Sequence, residues 1–187
     1  MNRFILSFLF FILLLPIQAQ RSKAELQAYV DTYKPGNVLD LDSYLISIEG
    51  DTILFSEFQG KWVLIDYWTV GCKPCLKELP FLVEFSQSSN LDQLEVIAVS
   101  VDTDLDRWRR LSEKRVKALP NFFAGRSAHN DILGLNLSLL EEEGKPSLFT
   151  TLPRYSLIDP TGKIAVRHLA EKPSSPKFKS YIESLIR

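Results

Sequence analysis

Histidine, cysteine and methionine are scarce here: two, two and one among 187 residues. A tetrahedral zinc site needs about four ligands. Neither His129 nor His168 stands with a second ligand pair, so no metal is expected. No third cysteine exists to cross-link distant parts of the chain. A basic excess is missing too: 22 lysines and arginines face 23 acids, whereas a nucleic acid or an anionic membrane surface calls for clustered positive charge. No repeat or low-complexity tract is visible. The longest apolar run, Phe4 to Leu15 with only Ser7 interrupting, falls short of the roughly 20 residues of a membrane-spanning helix.

That run follows Met1-Asn2-Arg3 and precedes Ala19, the charge, length and small residue of a secretory signal. No cysteine lies near the cleavage point to carry a lipid. Residues 1–19 therefore read as a signal peptide, 20–37 as a helical extension and 38–187 as one domain, exported to the periplasm or the outer face of the inner membrane. Membrane association is expected only if the leader stays uncleaved. An oxidising compartment would demand an upstream electron donor to keep any thiol reduced.

Ser22 and Glu25 have capping-box spacing ahead of the stripe Leu26, Tyr29, Val30 and Tyr33, which predicts a helix over 22–34. Glu49-Gly50-Asp51 divides a hairpin. Trp62 to Trp68 is an apolar run broken only by Asp66, as a central strand covered on both faces would be. Helical spacing from Lys73 to about Ser88 contains Pro80, which predicts a kink. Leu94–Val101 reads as a buried strand and 104–115 as a helix. Asn121–Ala124 reads as a short strand and Asp131–Glu143 as a helix stopped by Gly144. Two strands then flank the turn Asp159-Pro160-Thr161-Gly162, and Ser175-Pro176 opens a terminal amphipathic helix.

Both cysteines fall in one motif, Cys72-Lys73-Pro74-Cys75. A disulfide stabilises most when it closes a long loop. This loop holds two intervening residues, so a redox pair explains the motif better than a staple. Placing Cys72 at a helix start aims free backbone donors and the positive end of the helix dipole at its sulfur, which favours the thiolate. Lys73 adds positive charge. Cys75, one turn further in, would be the more buried thiol and would resolve the mixed disulfide that Cys72 forms with a partner. Half a zinc site and a peroxidatic cysteine, through Thr69-x-x-Cys72, are the rival readings. The first lacks a second ligand pair. The second lacks the proline that would precede Thr69 by four residues, where Ile65 stands.

With Phe58-Gln59-Gly60-Lys61-Trp62-Val63-Leu64-Ile65-Asp66-Tyr67-Trp68, the CxxC, Glu78-Leu79-Pro80 and Leu152-Pro153-Arg154-Tyr155-Ser156-Leu157-Ile158-Asp159 in view, the chain resembles the thioredoxin superfamily. More narrowly it is similar to exported TlpA/ResA-like thiol-disulfide oxidoreductases. The resemblance spans about residue 38 to the carboxyl end. It implies an α/β thioredoxin-like three-layer sandwich, a central mixed sheet flanked by helices and preceded by a β-hairpin. It implies a cis Pro153 against the cysteine pair, with Leu152 exposing backbone groups to an incoming peptide; otherwise Pro153 is a trans proline opening an edge strand. Asp66 matches the family's buried acid, which would accept a proton from Cys75 through water, or else is a strand-end aspartate satisfied by backbone donors. Glu78 is found near the site in ResA-like proteins, or else is a solvated helix acid. Trp68 would pack on the active-site loop and border the substrate surface. Gly71, where many relatives carry tryptophan, implies a less apolar and more flexible surface beside Cys72.

The expected function is exchange, in the reducing direction, with protein thiols and disulfides of the cell envelope, needing no cofactor beyond the Cys72–Cys75 pair. A non-catalytic binding module with a structural disulfide is the alternative, and a thiol peroxidase a further one.

Overall fold

A computed structural model describes residues 21–88, 91, 93–125 and 130–186. The proposed signal segment and His129 lie outside them. Helix α1 (Lys23–Asp31) starts with the Ser22/Glu25 capping box. A hairpin of β1 (Tyr44–Ile46) and β2 (Thr52–Leu54) and a 3₁₀ turn over Phe55–Phe58 lead into β3 (Trp62–Trp68) and α2 (Lys73–Ser88). Then come β4 (Leu94–Ser100), α3 (Leu105–Arg115), β5 (Asn121–Phe123), α4 (Asp131–Asn136), β6 (Leu137–Glu142), β7 (Lys145–Thr150), β8 (Arg154–Ile158), β9 (Ile164–Val166) and α5 (Phe178–Ile186).

Seven strands form one mixed sheet in the order β2-β1-β5-β4-β3-β8-β9. Strands β3, β4 and β5 run parallel, while β8 is antiparallel to β3 and β1 to β5. Both faces are covered, so β3 and β4 are apolar nearly throughout. Their side chains nonetheless alternate: Leu64, Trp68, Val96 and Ala98 join Leu82, Phe85, Trp108, Phe178 and Ile182 from α2, α3 and α5. Val63, Ile65, Tyr67, Ile97 and Val99 pack instead against Tyr33, the 3₁₀ turn and α4 through Phe55, Ile132 and Leu135. Strand periodicity thus puts Asp66 on the α2 side, the side of the cysteines.

Two expectations need correction. The helix expected over Asp131–Glu143 ends at Asn136, and the chain then forms the β6–β7 hairpin. Glu143 and Gly144 sit at φ 51° and 74°, the left-handed conformations a two-residue hairpin turn requires. The terminal helix begins at Phe178, with Ser175 and Pro176 in the turn before it. Helix α2 runs to Ser88 with Pro80 inside it, the extent expected from the sequence.

The hairpin and α1 pack on each other, with Lys23 paired to Glu141. Asp131 anchors this region: it accepts from the Tyr33 hydroxyl at 2.9 Å and the Asp40 N–H at 2.7 Å. Gly134 lies under the Tyr33 ring so closely that a Cβ there would come within 2.1 Å of it. Alanine is the better helix former. Here Gly134→Ala should still destabilise the protein by about 1–3 kcal/mol, because the buried ring must shift; urea unfolding of the two proteins measures it.

Candidate redox site

Strand β3 ends at Trp68 and the chain reaches α2 through Thr69-Val70-Gly71-Cys72. Cys72 acts as the helix cap: its carbonyl accepts from the Leu76 N–H at 3.1 Å and its sulfur from the Cys75 N–H at 3.2 Å. The sulfur thus sits among the donors of the first helical turn, where negative charge is stabilised. The two sulfurs are bonded, with Cα atoms 5.3 Å apart. Cys72 is half-buried and Cys75 is 3% exposed, which leaves Cys72 as the sulfur a partner can reach.

The approach loop is held on both sides of Val70. Asp102 accepts its N–H at 2.9 Å, Arg115 donates to its carbonyl, and Asp102 is itself held by the Ser100 hydroxyl at 2.7 Å. Nothing in the sequence around the motif signals Asp102 or Arg115, since they come from the loop after β4 and from α3. Gly71 is exposed, with open space around it. Whatever freedom it has is bounded by the fixed peptide before it.

Strand β8 pairs with β3 in the register Tyr67–Arg154 and Asp66–Tyr155. One residue beyond that ladder the Leu152–Pro153 bond is cis. Both residues are half-buried, at the same sheet end to which β3 delivers the CxxC. Arg154 ties this segment to the β6 hairpin, donating to the Asn136 carbonyl at 2.8 Å and the Ser138 hydroxyl at 2.9 Å. Trp68 is not a substrate-facing group. It is 2% exposed and donates its indole N–H to Asn121 at 3.2 Å, so it supports the loop from below.

Asp66 is 3% exposed, and its Oδ1 has no hydrogen-bond partner. Backbone donors do not satisfy that oxygen. Burial pushes its carboxyl up to about 8, and the nearby Glu78 charge adds to the rise. Asp66, Trp68, Cys75, Leu76, Leu79 and Val116 line one gap that leaves no room for a water molecule. Water-mediated transfer between Asp66 and Cys75, as expected from the sequence, therefore finds no space in the oxidised form. Glu78 is buried rather than solvated: it takes two hydrogen bonds from Ser174 and a 3.5 Å ion pair from Lys172. Among the described residues no group of histidine, cysteine, aspartate or glutamate could hold a metal ion.

The raised Asp66 carboxyl has a definite effect on stability. The folded form holds a proton that the unfolded chain, titrating near ~3.9, has already lost, so folding weakens as pH rises from about 4 to 8. Asp66→Asn removes this liability. It should stabilise the oxidised protein by roughly 2–4 kcal/mol at pH 8 and by little at pH 4, a difference that denaturant unfolding at the two pH values reads directly.

Comparisons with known proteins agree with this geometry. The Redoxin family model matches residues 35–185. The thiol-disulfide oxidoreductase ResA of Bacillus thuringiensis (strain Al Hakam) is 26% identical over 143 residues, 74% of this chain and 71% of that protein. The thioredoxin-like protein YneN of Bacillus subtilis is 33% identical over 82 residues, 44% of this chain and 45% of its own. Among solved structures, the thioredoxin domain of a Bacteroides vulgatus thiol-disulfide oxidoreductase superposes with TM-score 0.61 at 22% identity, covering 82% of this chain and 99% of that one. A thiol:disulfide interchange protein from a Bacteroides species gives TM-score 0.61 at 21% identity, with 82% and 90% coverage. With a fold, a CxxC helix cap and a family match that coincide over the same residues, the chain belongs to the Redoxin family and is a TlpA/ResA-like member of the thioredoxin superfamily.

Proposed function

We propose that this thiol-disulfide oxidoreductase reduces disulfides of exported proteins, with Cys72 attacking and Cys75 resolving. The observation that carries the reading is the pairing of a reachable, helix-capping sulfur with a buried one that shares a dry gap with an unpaired acid. The ResA relative is a named thiol-disulfide oxidoreductase, which supports the same activity here. The apolar, weakly cationic amino end and the balanced charge of the rest support action in the cell envelope on protein partners. Among the described residues no helix is long and apolar enough to cross a membrane.

The Cys72 thiolate attacks one sulfur of the partner's disulfide, and the other partner sulfur leaves as a thiolate. Cys75 then gives its proton to the Asp66 carboxylate and attacks Cys72, forming the intramolecular disulfide as the partner's second thiolate departs. Two electrons have passed to the partner, and the proton rests on Asp66, which at neutral pH holds it. When a donor dithiol reopens the pair, Cys75 leaves as a thiolate and takes that proton back. Asp66 thus stores one proton while the cysteines are oxidised. Leu152 and Pro153, at the sheet end to which β3 delivers the cysteine pair, would supply the backbone edge along which an extended peptide lies.

Reduced wild-type protein should cleave a model protein disulfide, and Cys72→Ser should remove the activity. Cys75→Ala expressed in the native compartment should accumulate mixed disulfides on Cys72, read as reducible high-mass bands on a non-reducing gel. Full exchange activity in Cys72→Ser would refute the assignment.

A further inference from the structure

Glu78 projects from α2, one turn after Cys75, yet its carboxylate is held by the segment joining β9 to α5. Ser174 donates twice, from its N–H to Oε2 at 2.8 Å and from its hydroxyl to Oε1 at 3.0 Å. Lys172 approaches Oε1 to 3.5 Å from an exposed position. The neighbouring acid, Asp66, has an oxygen with no partner at all. Of these two acids near the redox centre, one is held by three donors and the other has an oxygen with none.

We propose that Ser174 is a positioning residue of the redox centre: it holds the Glu78 carboxylate in its buried place on α2, one turn after Cys75, and so governs when Asp66 can exchange a proton with Cys75. The inference rests on the exchange reading given above and adds a regulatory residue to it. The two residues are 96 positions apart in the chain, so only the fold brings them together.

The physical basis is a competition between neighbouring acids. A carboxylate that accepts several hydrogen bonds is stabilised as an ion, whereas a buried one without donors is stabilised as the neutral acid. A negative charge nearby disfavours ionising a second acid, so the Glu78 charge helps keep the proton on Asp66. Ser174 fixes that charge in place by donating twice to Glu78. The groups facing Asp66 are Cys75 and Glu78 from α2, Tyr155 from the paired position on β8, and, behind Glu78, Lys172. Tyr155 has a buried hydroxyl without a partner; burial, with smaller contributions from both acids, raises its titration and holds it protonated. The partner of Asp66 on β4 is Ala98, and Val116 closes the gap beyond α3, so neither adds charge.

When the Ser174 donors are removed, the Glu78 carboxylate loses its anchor and turns outward to water. That lowers the negative charge near Asp66 and moves the Asp66 titration toward lower pH. The test follows the Asp66 carboxyl carbon by NMR against pH in the oxidised full-length protein, and the rate of mixed-disulfide resolution against pH in the reduced protein. Ser174→Ala, which removes the hydroxyl, should lower the Asp66 midpoint by about half a pH unit. Ser174→Pro, which removes the backbone donor as well, should lower it further. Ser174→Thr, which keeps the hydroxyl, should restore the wild-type profile. Glu78→Gln should shift the midpoint in the same direction and set the largest attainable change.

An Asp66 midpoint and a resolution profile that stay at wild-type values in Ser174→Ala while Glu78→Gln moves them would overturn the proposal. So would a Glu78→Gln protein with no shift. Ser174→Ala decides the matter even if Ser174→Pro does not fold. Loss of all disulfide exchange in the wild type would refute the functional reading instead, and the NMR titration of the oxidised protein would still report on Ser174.

Discussion

Everything at the redox centre depends on the antiparallel pairing of β3 with β8. Strand β3 carries Asp66 and hands the chain to the CxxC, and β8 begins immediately after the cis Leu152–Pro153 bond. The register Tyr67–Arg154 fixes where that proline emerges relative to Cys72, and Asp66–Tyr155 fixes what stands beside the buried acid. A slip of one residue would turn Asp66 to the opposite face of the sheet, among Ile65, Tyr67 and α4. Register here is specified strongly, because both faces are packed and each has its own apolar set.

Around this pairing the fold adds supports drawn from distant parts of the chain. Asp102 and Arg115 grip the peptide ahead of Gly71 from the loop after β4 and from α3. Asn121 holds Trp68 from β5, and Ser174 with Lys172 holds Glu78 from the connection before α5. Only Cys72 of the cysteine pair is accessible, and what these supports do is fix geometry and charge. Preorganisation of this kind matters in an exchange reaction, where the attacking sulfur must approach a disulfide in line and the resolving one must follow.

The central strand and the CxxC helix were legible in the sequence because their signals are local: an unbroken apolar run, a helical stripe and a motif directly between them. The β6–β7 hairpin was not. Leu137-Ser138-Leu139-Leu140-Glu141-Glu142 is built of good helix formers, and what makes it a strand is pairing with Lys145–Thr150 across Glu143-Gly144 and packing against α1. The surroundings of Glu78 were equally hidden. Its spacing from Cys75 is visible, but the partner that decides between a solvated acid and a buried one is a serine in a polar run of the kind that usually marks an ordinary loop.

The buried acid also separates the two readings that the cysteine spacing alone leaves open. If the disulfide served only to hold α2 to its loop, the fold would gain nothing from Asp66. An apolar side chain of similar size would fill the same gap beside Trp68, Leu76 and Leu79 without a proton to retain. The chain instead keeps a carboxyl with an unpartnered oxygen next to the inaccessible cysteine, and sets a second acid, itself fully partnered, where its charge raises the first. That arrangement lowers stability above pH 4 and makes no contribution to a static cross-link. It does serve a sulfur that must alternate between bonded and protonated states, since each alternation needs a nearby group to release or receive one proton.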